Sequence, residues 1–270
     1  MSKICGSPYA WHMTHQLTMF KRAHHQRIAR VLLALDADLL RKHHCLFGGG
    51  TCMALRYGEY RESVDVDFLV SDPGGYRALR HLLTSGQGMA PLTRQGAIAL
   101  SVTREIRADQ YGIRTQLQMD GLPIKFEILR EARITLDAPK DNDKVCDVST
   151  LTPNDMAASK LLNNSDRQAD DGVFSRDVID LAMMDLKLPA LRLATAKAEE
   201  AYGPAVLRDL AKAVERIKTR HGWLERCMQA MAIDLPKALL WQKIRALTRV
   251  LPATTSPPDS PSTSAQGRPA

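Results

Sequence analysis

No run of apolar residues in the 270-residue chain approaches the roughly 18 needed to cross a bilayer. The N-terminus, MSKICGSPYAWHMTH, lacks the apolar core of a signal peptide. Together these absences predict a cytoplasmic protein with no membrane partner. The five cysteines (Cys5, Cys45, Cys52, Cys146 and Cys227) are scattered, odd in number and free of any CxxC pair. They read as reduced thiols, which excludes a zinc ribbon or a disulfide framework. No internal repeat is visible. No glycine loop is followed by Gly-Lys-Ser/Thr, and the GxGxxG spacing is missing, which excludes a P-loop and a dinucleotide fingerprint.

What is present is an ordinary globular composition, 44% hydrophobic and 25% charged, long enough for one large domain or two small ones. The formal charge is +7 and the pI about 9.2. A basic balance suits a polyphosphate or nucleic-acid partner, although it says nothing about fold.

The richest stretch is Phe47 to Leu69, FGGGTCMALRYGEYRESVDVDFL. Val64 to Val70 alternates with period two and predicts a strand, with Val64, Val66 and Phe68 on the apolar face and Asp65 and Asp67 together on the other. Two strand residues span roughly 6.6 Å, so both carboxylates can converge on one point. Two carboxylates about 5 Å apart repel by about 3 kcal/mol at an effective dielectric near 20, so a pair kept this close calls for a cation. Oxygen ligands favour a hard one such as magnesium. Upstream, His44 to Phe47 predicts a short strand and Thr51 to Arg56 the start of a helix. Gly48, Gly49 and Gly50 then form a strand-to-helix turn where backbone can approach a ligand. Helix N-terminal N–H groups bind phosphate, and Thr51 adds a hydroxyl. A phosphate cradle just before a metal-binding acid pair points to a nucleoside triphosphate held with its metal.

The pattern GG-T-x-x-A-L followed by R-x-S-x-D-x-D-F resembles the nucleotidyltransferase superfamily related to DNA polymerase β. Gly49-Gly50-Thr51 with Arg61-Glu62-Ser63-Val64-Asp65-Val66-Asp67-Phe68 is most similar to the AbiEii/AbiGii toxin family. In the superfamily a third acid lies on a later strand. Pro123 to Leu129 alternates so that Ile124, Phe126 and Ile128 are buried and Lys125 and Glu127 face the other way. Glu127 is the candidate third metal ligand, although a Glu stands where many relatives carry Asp. An exposed Lys-Glu strand face is the alternative. The family also has a lysine followed by R-D-x-x-D-L, matched by Lys160 and Arg176-Asp177-Val178-Ile179-Asp180-Leu181. The resemblance implies that Lys160 and Asp177 belong to the nucleotide site. Read locally, Asp177 complements a helix dipole and Arg176–Asp180 is a surface pair.

In chain order, residues 18–42 predict an amphipathic helix, and the pairs His24-His25 and His43-His44 are surface or helix-end residues. Ser71 to Gly75 reads as a loop, Tyr76 to Thr84 as a helix, and 98–104 and 114–119 as strands, with Asp120-Gly121 turning into the Glu127 strand. Residues 137–149 form a charged connector. Thr152-Pro153-Asn154-Asp155 starts a helix, 163–172 is a polar loop, and Ser175 caps the next helix. Residues 188–250 are helical, with two basic runs, the second (Lys237, Lys243, Arg245, Arg249) free of acids. Such runs are either solvated faces or a surface that tracks an RNA backbone. From Pro252 the Pro/Ser/Thr-rich chain predicts a disordered tail.

The expected fold is therefore α/β (α+β), a polymerase β-like nucleotidyltransferase core with a small mixed sheet followed by a helical C-terminal domain. The core takes residues 1–149, the helical domain 150–251 and the tail 252–270. The resemblance implies a magnesium-dependent nucleotidyltransferase with an NTP donor. Asp65, Asp67 and Glu127 hold metal, Lys160 and Asp177 assist, and Gly49, Gly50, Thr51, Ser63, Arg61 and Lys160 meet the nucleotide. The alternative reading of Arg61 is a turn residue paired with Glu59 or Glu62. An RNA acceptor, the tRNA 3′ end, and a cognate antitoxin of a type IV toxin–antitoxin or phage-defence pair follow from the same resemblance. A small-molecule or protein acceptor, and a catalytically idle nucleotide-binding regulatory module, are the alternatives.

Overall fold

A computed structural model describes residues 20–252. The N-terminal leader reading, Cys5, the start of the first helix and nearly all of the Pro/Ser/Thr-rich tail lie outside the described residues. Among those described, no helix is long and apolar enough to cross a membrane.

The first helix divides in two, α1 (Ala23–Ala34) and α2 (Ala37–Lys42). The division has a local cause: the Asp36 carboxylate accepts from the Leu39 N–H at 2.9 Å and caps α2. Helix α1 lacks a cap of its own. Glu59 supplies it, accepting from the backbone N–H of Lys21 and Arg22 at 2.8 and 3.1 Å. The same carboxylate meets His25 Nδ1 at 2.8 Å. His25 is therefore fully buried, against the expectation of a surface residue, and burial pushes its pKa down against the pull of Glu59. His43 and His44 do sit at a helix end, partly or fully exposed.

Five strands build one mixed sheet: β1 (Leu46–Gly48), β2 (Val66–Val70), β3 (Ser101–Ala108), β4 (Gly112–Met119) and β5 (Leu122–Arg130), in the order β1-β2-β5-β4-β3. The β2–β5 pair is parallel and the other pairs are antiparallel. Phe47, Phe68 and Phe126 stack across β1, β2 and β5 with ring centroids 5.6 and 5.7 Å apart, and all three are fully buried. This aromatic row fixes which face of β2 points inward. Strand β2 is shorter than its alternation predicts. Its ladder with β5 begins at Val66 opposite Phe126, so Val64 has no strand to pack beside and is 42% exposed.

Helix α3 (Gly49–Arg56) follows β1 directly, and α4 (Pro73–Leu83) follows β2. The stretch Pro73-Gly74-Gly75, expected as loop, opens α4. Asp72 caps it by accepting from Gly75 N at 2.5 Å, and Pro73 occupies a first-turn position that needs no donor. The 137–149 connector contains a two-stranded ribbon, β6 (Lys144–Val145) with β7 (Val148–Ser149).

Six helices complete the described chain: α5 (Pro153–Arg167), α6 (Arg176–Met183), α7 (Leu188–Tyr202), α8 (Ala205–Thr219), α9 (Trp223–Ala230) and α10 (Lys237–Ala246). Helix α5 starts as read, with Thr152 Oγ1 accepting from Asp155 N at 3.1 Å. It also runs through Asn163 to Arg167, the first half of the expected polar loop. Asn164 faces inward and is buried there, and Arg167 reaches a buried acid. Ser175 precedes α6 in a left-handed conformation and makes no capping bond. Its hydroxyl instead accepts from Trp223 Nε1 at 2.9 Å. A single apolar cluster runs from the sheet through α5 into α7, α8 and α10. The result is the mixed α/β fold expected, a small sheet followed by helices.

The basic runs meet acids that local sequence does not show. Arg216 and Arg220 both pair with Asp171 and lie over the Trp223 ring. Lys237 pairs with Glu225, and Lys243 with Asp185.

Thr152→Ala removes the cap of the helix that joins sheet to helices, and should lower unfolding stability by about 1 kcal/mol. Urea denaturation, read as a lower midpoint at unchanged slope, checks this.

Candidate active site

The turn between β1 and α3 is held against β2 so tightly that only glycine fits. Gly49 has φ +68°, and a Cβ there would stand 2.4 Å from Asp67 Oδ2. At Gly50 it would stand 2.3 Å from Arg61 Nη2. Gly48 is the register partner of Asp67, so the turn begins beside the acid. Thr51 is buried, and its hydroxyl donates to Ser63 Oγ at 2.8 Å. Ser63, Gly49 and Gly50 face a cleft of about 510 Å³, and Thr51 stands behind them.

Alternate residues of β2 and β5 line this cleft: Asp67 and Leu69 from one strand, Lys125, Glu127 and Leu129 from the other. Asp65, one residue ahead of β2, joins them. Parallel pairing sets Asp67 directly opposite Glu127, and antiparallel pairing sets Arg114 opposite Glu127. Glu127 is buried, and its oxygens meet Lys125 Nζ at 2.6 Å and Arg114 Nε at 3.3 Å. Burial, with Asp65 and Glu127 nearby, pushes the Asp67 carboxyl up to about 6.

Among the described residues, no three His, Cys, Asp or Glu side chains are gathered as a metal centre. The donor chemistry nevertheless fits a hard cation. Asp65, Asp67 and Glu127 offer oxygen alone, and the mutual repulsion registered at Asp67 is what a bound cation would relieve.

Lys160, on α5, reaches the opposite wall of the cleft. It is buried, and its ammonium lies 2.6 Å from Asp180 Oδ2 and 3.3 Å from Asp177 Oδ1. Asp177 also accepts from Arg167 Nε and Nη2 at 2.7 and 2.9 Å. Asp177 does not line the cleft. Lys160 does, and Asp177 holds it. Burial opposes the charge on Asp177, but Lys160 and Arg167 outweigh it and keep its pKa below the usual carboxylate range.

Asp180 was expected to form a surface pair with Arg176. Instead it points into the protein, fully buried, and accepts from Tyr60 Oη at 2.5 Å and from Arg61 Nε and Nη2 at 2.7 and 3.0 Å. Its side of α6 faces α5 and the loop before β2, whereas Arg176 faces the cleft. The same pairing replaces the Glu59 or Glu62 partner of the turn reading of Arg61. Its carboxylate partner is Asp180, and it touches Glu62 only through the backbone oxygen, at 2.9 Å. Burial disfavours charge on both Asp180 and Arg61. Their mutual attraction overrides it and holds Arg61 above its ordinary value and, with Lys160 acting on the acid, Asp180 well below its own.

Residues that sequence reasoning missed are Arg167, Arg130, Arg133 and Tyr111, all on the cleft wall. No local signal marks Arg167, whose partner is ten residues away across a loop. In all, seven Lys or Arg side chains and four acids line the cleft, and Asp177 and Asp180 behind it offset the charge of Arg61, Lys160 and Arg167.

A glycine turn pressed on paired acids, faced by a wall of cations, defines the nucleotidyl transferase class. The family model "Nucleotidyl transferase AbiEii toxin, Type IV TA system" matches residues 30–244, and the chain belongs to that family. Two crystal structures are similar to it. A candidate nucleotidyltransferase from H. pylori is 14% identical, with a TM-score of 0.45 over 90% of this chain and 95% of that one. JHP933 from Helicobacter pylori is 13% identical, with a TM-score of 0.45 over 90% and 92%. No curated protein matches the chain at a significant level.

Asp180→Ala leaves Arg61 buried without its countercharge and Lys160 with Asp177 alone, and should cost about 3–5 kcal/mol, measured by denaturant unfolding. Asp67 gives the opposite sign. Its folded pKa of about 6 exceeds the roughly 3.9 of an unfolded aspartate, so the native state binds more protons between those values. The Asp67 contribution to stability therefore falls as pH rises through that window. Asp67→Asn should abolish this fall and be more stable at pH 7 by up to roughly 3 kcal/mol, checked by urea curves at pH 4 and pH 7 without divalent cations.

Proposed function

We propose that this protein is a metal-dependent nucleotidyltransferase that moves a nucleoside monophosphate from an NTP to an acceptor hydroxyl, and that the acceptor is RNA, at a tRNA 3′ end. The observation that carries the reading is the register that sets Asp67 beside both the glycine turn and Glu127. A phosphate on the turn then lies against the acids.

Asp65, Asp67 and Glu127 would hold magnesium, which when bound neutralises the triphosphate and lowers the pKa of the acceptor hydroxyl. Gly49 and Gly50 let backbone approach the phosphates, and the Ser63 hydroxyl, steadied by Thr51, adds a polar contact. The acceptor oxygen forms a bond to the α-phosphorus while the bond to the bridging oxygen breaks, and pyrophosphate departs with that electron pair. Lys160 stabilises the charge that develops on pyrophosphate. Asp177 and Asp180 position its ammonium from behind. Arg61 is engaged by Asp180, so its contribution is to brace the glycine turn at Gly50, with any phosphate contact secondary. Arg167 and Arg176 add countercharge on the same wall.

The family supports a role as the toxin of a type IV pair, acting in the cytoplasm and restrained by a cognate antitoxin. One observation favours a second reading, a small-molecule or protein acceptor. Several cations of the basic helices are tied to Asp171, Asp185 and Glu225, which leaves less free charge to track an RNA backbone.

The test is transfer of α-³²P-labelled nucleotides, each of the four in turn, to total RNA with magnesium. Label should enter tRNA-sized RNA with one nucleotide, and the Asp65→Ala, Asp67→Ala double variant should lose at least about 10²-fold of that rate. Label entering protein or small molecules alone would establish the second reading. Magnesium-dependent NTP binding with no transfer to any acceptor would leave only the idle nucleotide-binding module.

A further inference from the structure

The charged rows of the cleft are followed by an apolar one. Leu69 and Leu129 are register partners two residues beyond Asp67 and Glu127, so they share the acids' face of the sheet. The next strand places Gly112 beside Leu129. A Cβ at Gly112 would stand 3.0 Å from Leu129 Cδ2, so the glycine keeps the surface over this leucine low. Immediately before it comes Tyr111, 66% exposed and, among the described residues that line the cleft, the sole aromatic.

The Tyr111 ring lies open to water, but its backbone is fixed. Asp109 accepts from the Tyr111 and Gly112 N–H groups at 2.7 and 2.9 Å. Tyr76 Oη donates to the Asp109 carbonyl at 2.6 Å, and the Tyr111 carbonyl accepts from Arg130 N at 2.9 Å. A large ring carried on a pinned hairpin, beside an apolar row, offers a flat apolar surface at the cleft edge.

We propose that Tyr111, with Leu69 and Leu129, forms the nucleobase-binding half of the cleft, its ring stacking on the base of the nucleotide whose phosphates or terminal hydroxyl lie at Asp65, Asp67 and Glu127. Two strand residues, roughly 6.6 Å, separate the apolar row from the Asp67–Glu127 row, about the reach of one ribose. A π face accepts every base, so this surface supplies affinity for a nucleoside and little choice among the four. The inference rests on the nucleotidyl transfer reading and concerns the part of the substrate that reading leaves unplaced.

The test compares ligands with and without a base, by calorimetry in magnesium. In the wild-type chain the preferred NTP should bind more tightly than inorganic tripolyphosphate. Tyr111→Ala and Tyr111→Leu should each weaken the NTP about tenfold, the scale of one base–aromatic stack, and leave tripolyphosphate unchanged. Tyr111→Phe should stay within about twofold of wild type, since the ring and not the hydroxyl makes the contact. If the base comes from the acceptor, the same loss appears for a short RNA against that RNA ending in an abasic ribose, while the NTP is unaffected. The proposal is overturned if Tyr111→Ala, melting like wild type, changes neither ratio. Should the wild-type chain bind no tripolyphosphate, NTP or RNA, the transferase reading itself fails and takes this one with it.

Discussion

The buried carboxylate of Asp180 is the interaction on which the arrangement depends. It sits on α6 and gathers Tyr60 and Arg61 from the loop before β2 and Lys160 from α5. Two cations and one acid would be costly to desolvate alone. Here the second acid, Asp177, balances them, and Arg167 adds a further, partly exposed cation on Asp177. The cluster therefore joins the sheet to the helices through fixed polar geometry, where apolar packing alone would leave their relative position looser. Lys160 is delivered to the cleft by the same bonds that join the two parts. Arg61 braces the glycine turn from beneath, close enough that Gly50 has no room for a side chain.

The sheet then converts strand register into chemistry. Residues two apart on β2 and β5 share a face, so one parallel pairing produces successive rows: Asp67 with Glu127, then Leu69 with Leu129. The opposite face of the same strands carries Phe68, Phe126 and Ile128, all fully buried. A slip of one residue would send the acids into the core and the phenylalanines into the cleft. The stacked phenylalanine row resists this slip, so the core holds the active face in register.

How much was legible follows from where the signals lie. Alternation in Val66–Leu69 and in 123–129 placed Asp67 and Glu127 on their strands, and the glycine run located the turn, because each signal is contained within a few residues. Val64 was misassigned because alternation continues past the last ladder partner, and a single strand's sequence does not reveal where its neighbour ends. Asp72-Pro73 was passed over although it is a cap followed by a first-turn proline, because the two glycines after it read as loop. The partners of Asp180 and His25 lay out of reach. Arg61 is 119 residues from Asp180 and Glu59 is 34 from His25, so periodicity carries no trace of either. In each case the residue type was visible and the contact that explains it was not.

The distribution of charge gives the cleft its direction. Several cations on α8 and α10 are drawn down by acids from other elements, and in the cleft Arg61, Lys125, Arg133, Lys160 and Arg167 are each paired with a carboxylate as well. Asp65, Asp67 and Glu127 stand by the glycine turn, and Lys160, Arg167 and Arg176 line the same cleft. The proposed ligand presents anionic groups to these cations and carries a cation to the acids. A triphosphate with a divalent ion has that pattern, and a simple dicarboxylate or sugar does not. The apolar row beyond the acids asks for one further property, an uncharged flat group attached to the anionic chain. The proposed nucleotide would meet these groups in the order in which it carries its own parts.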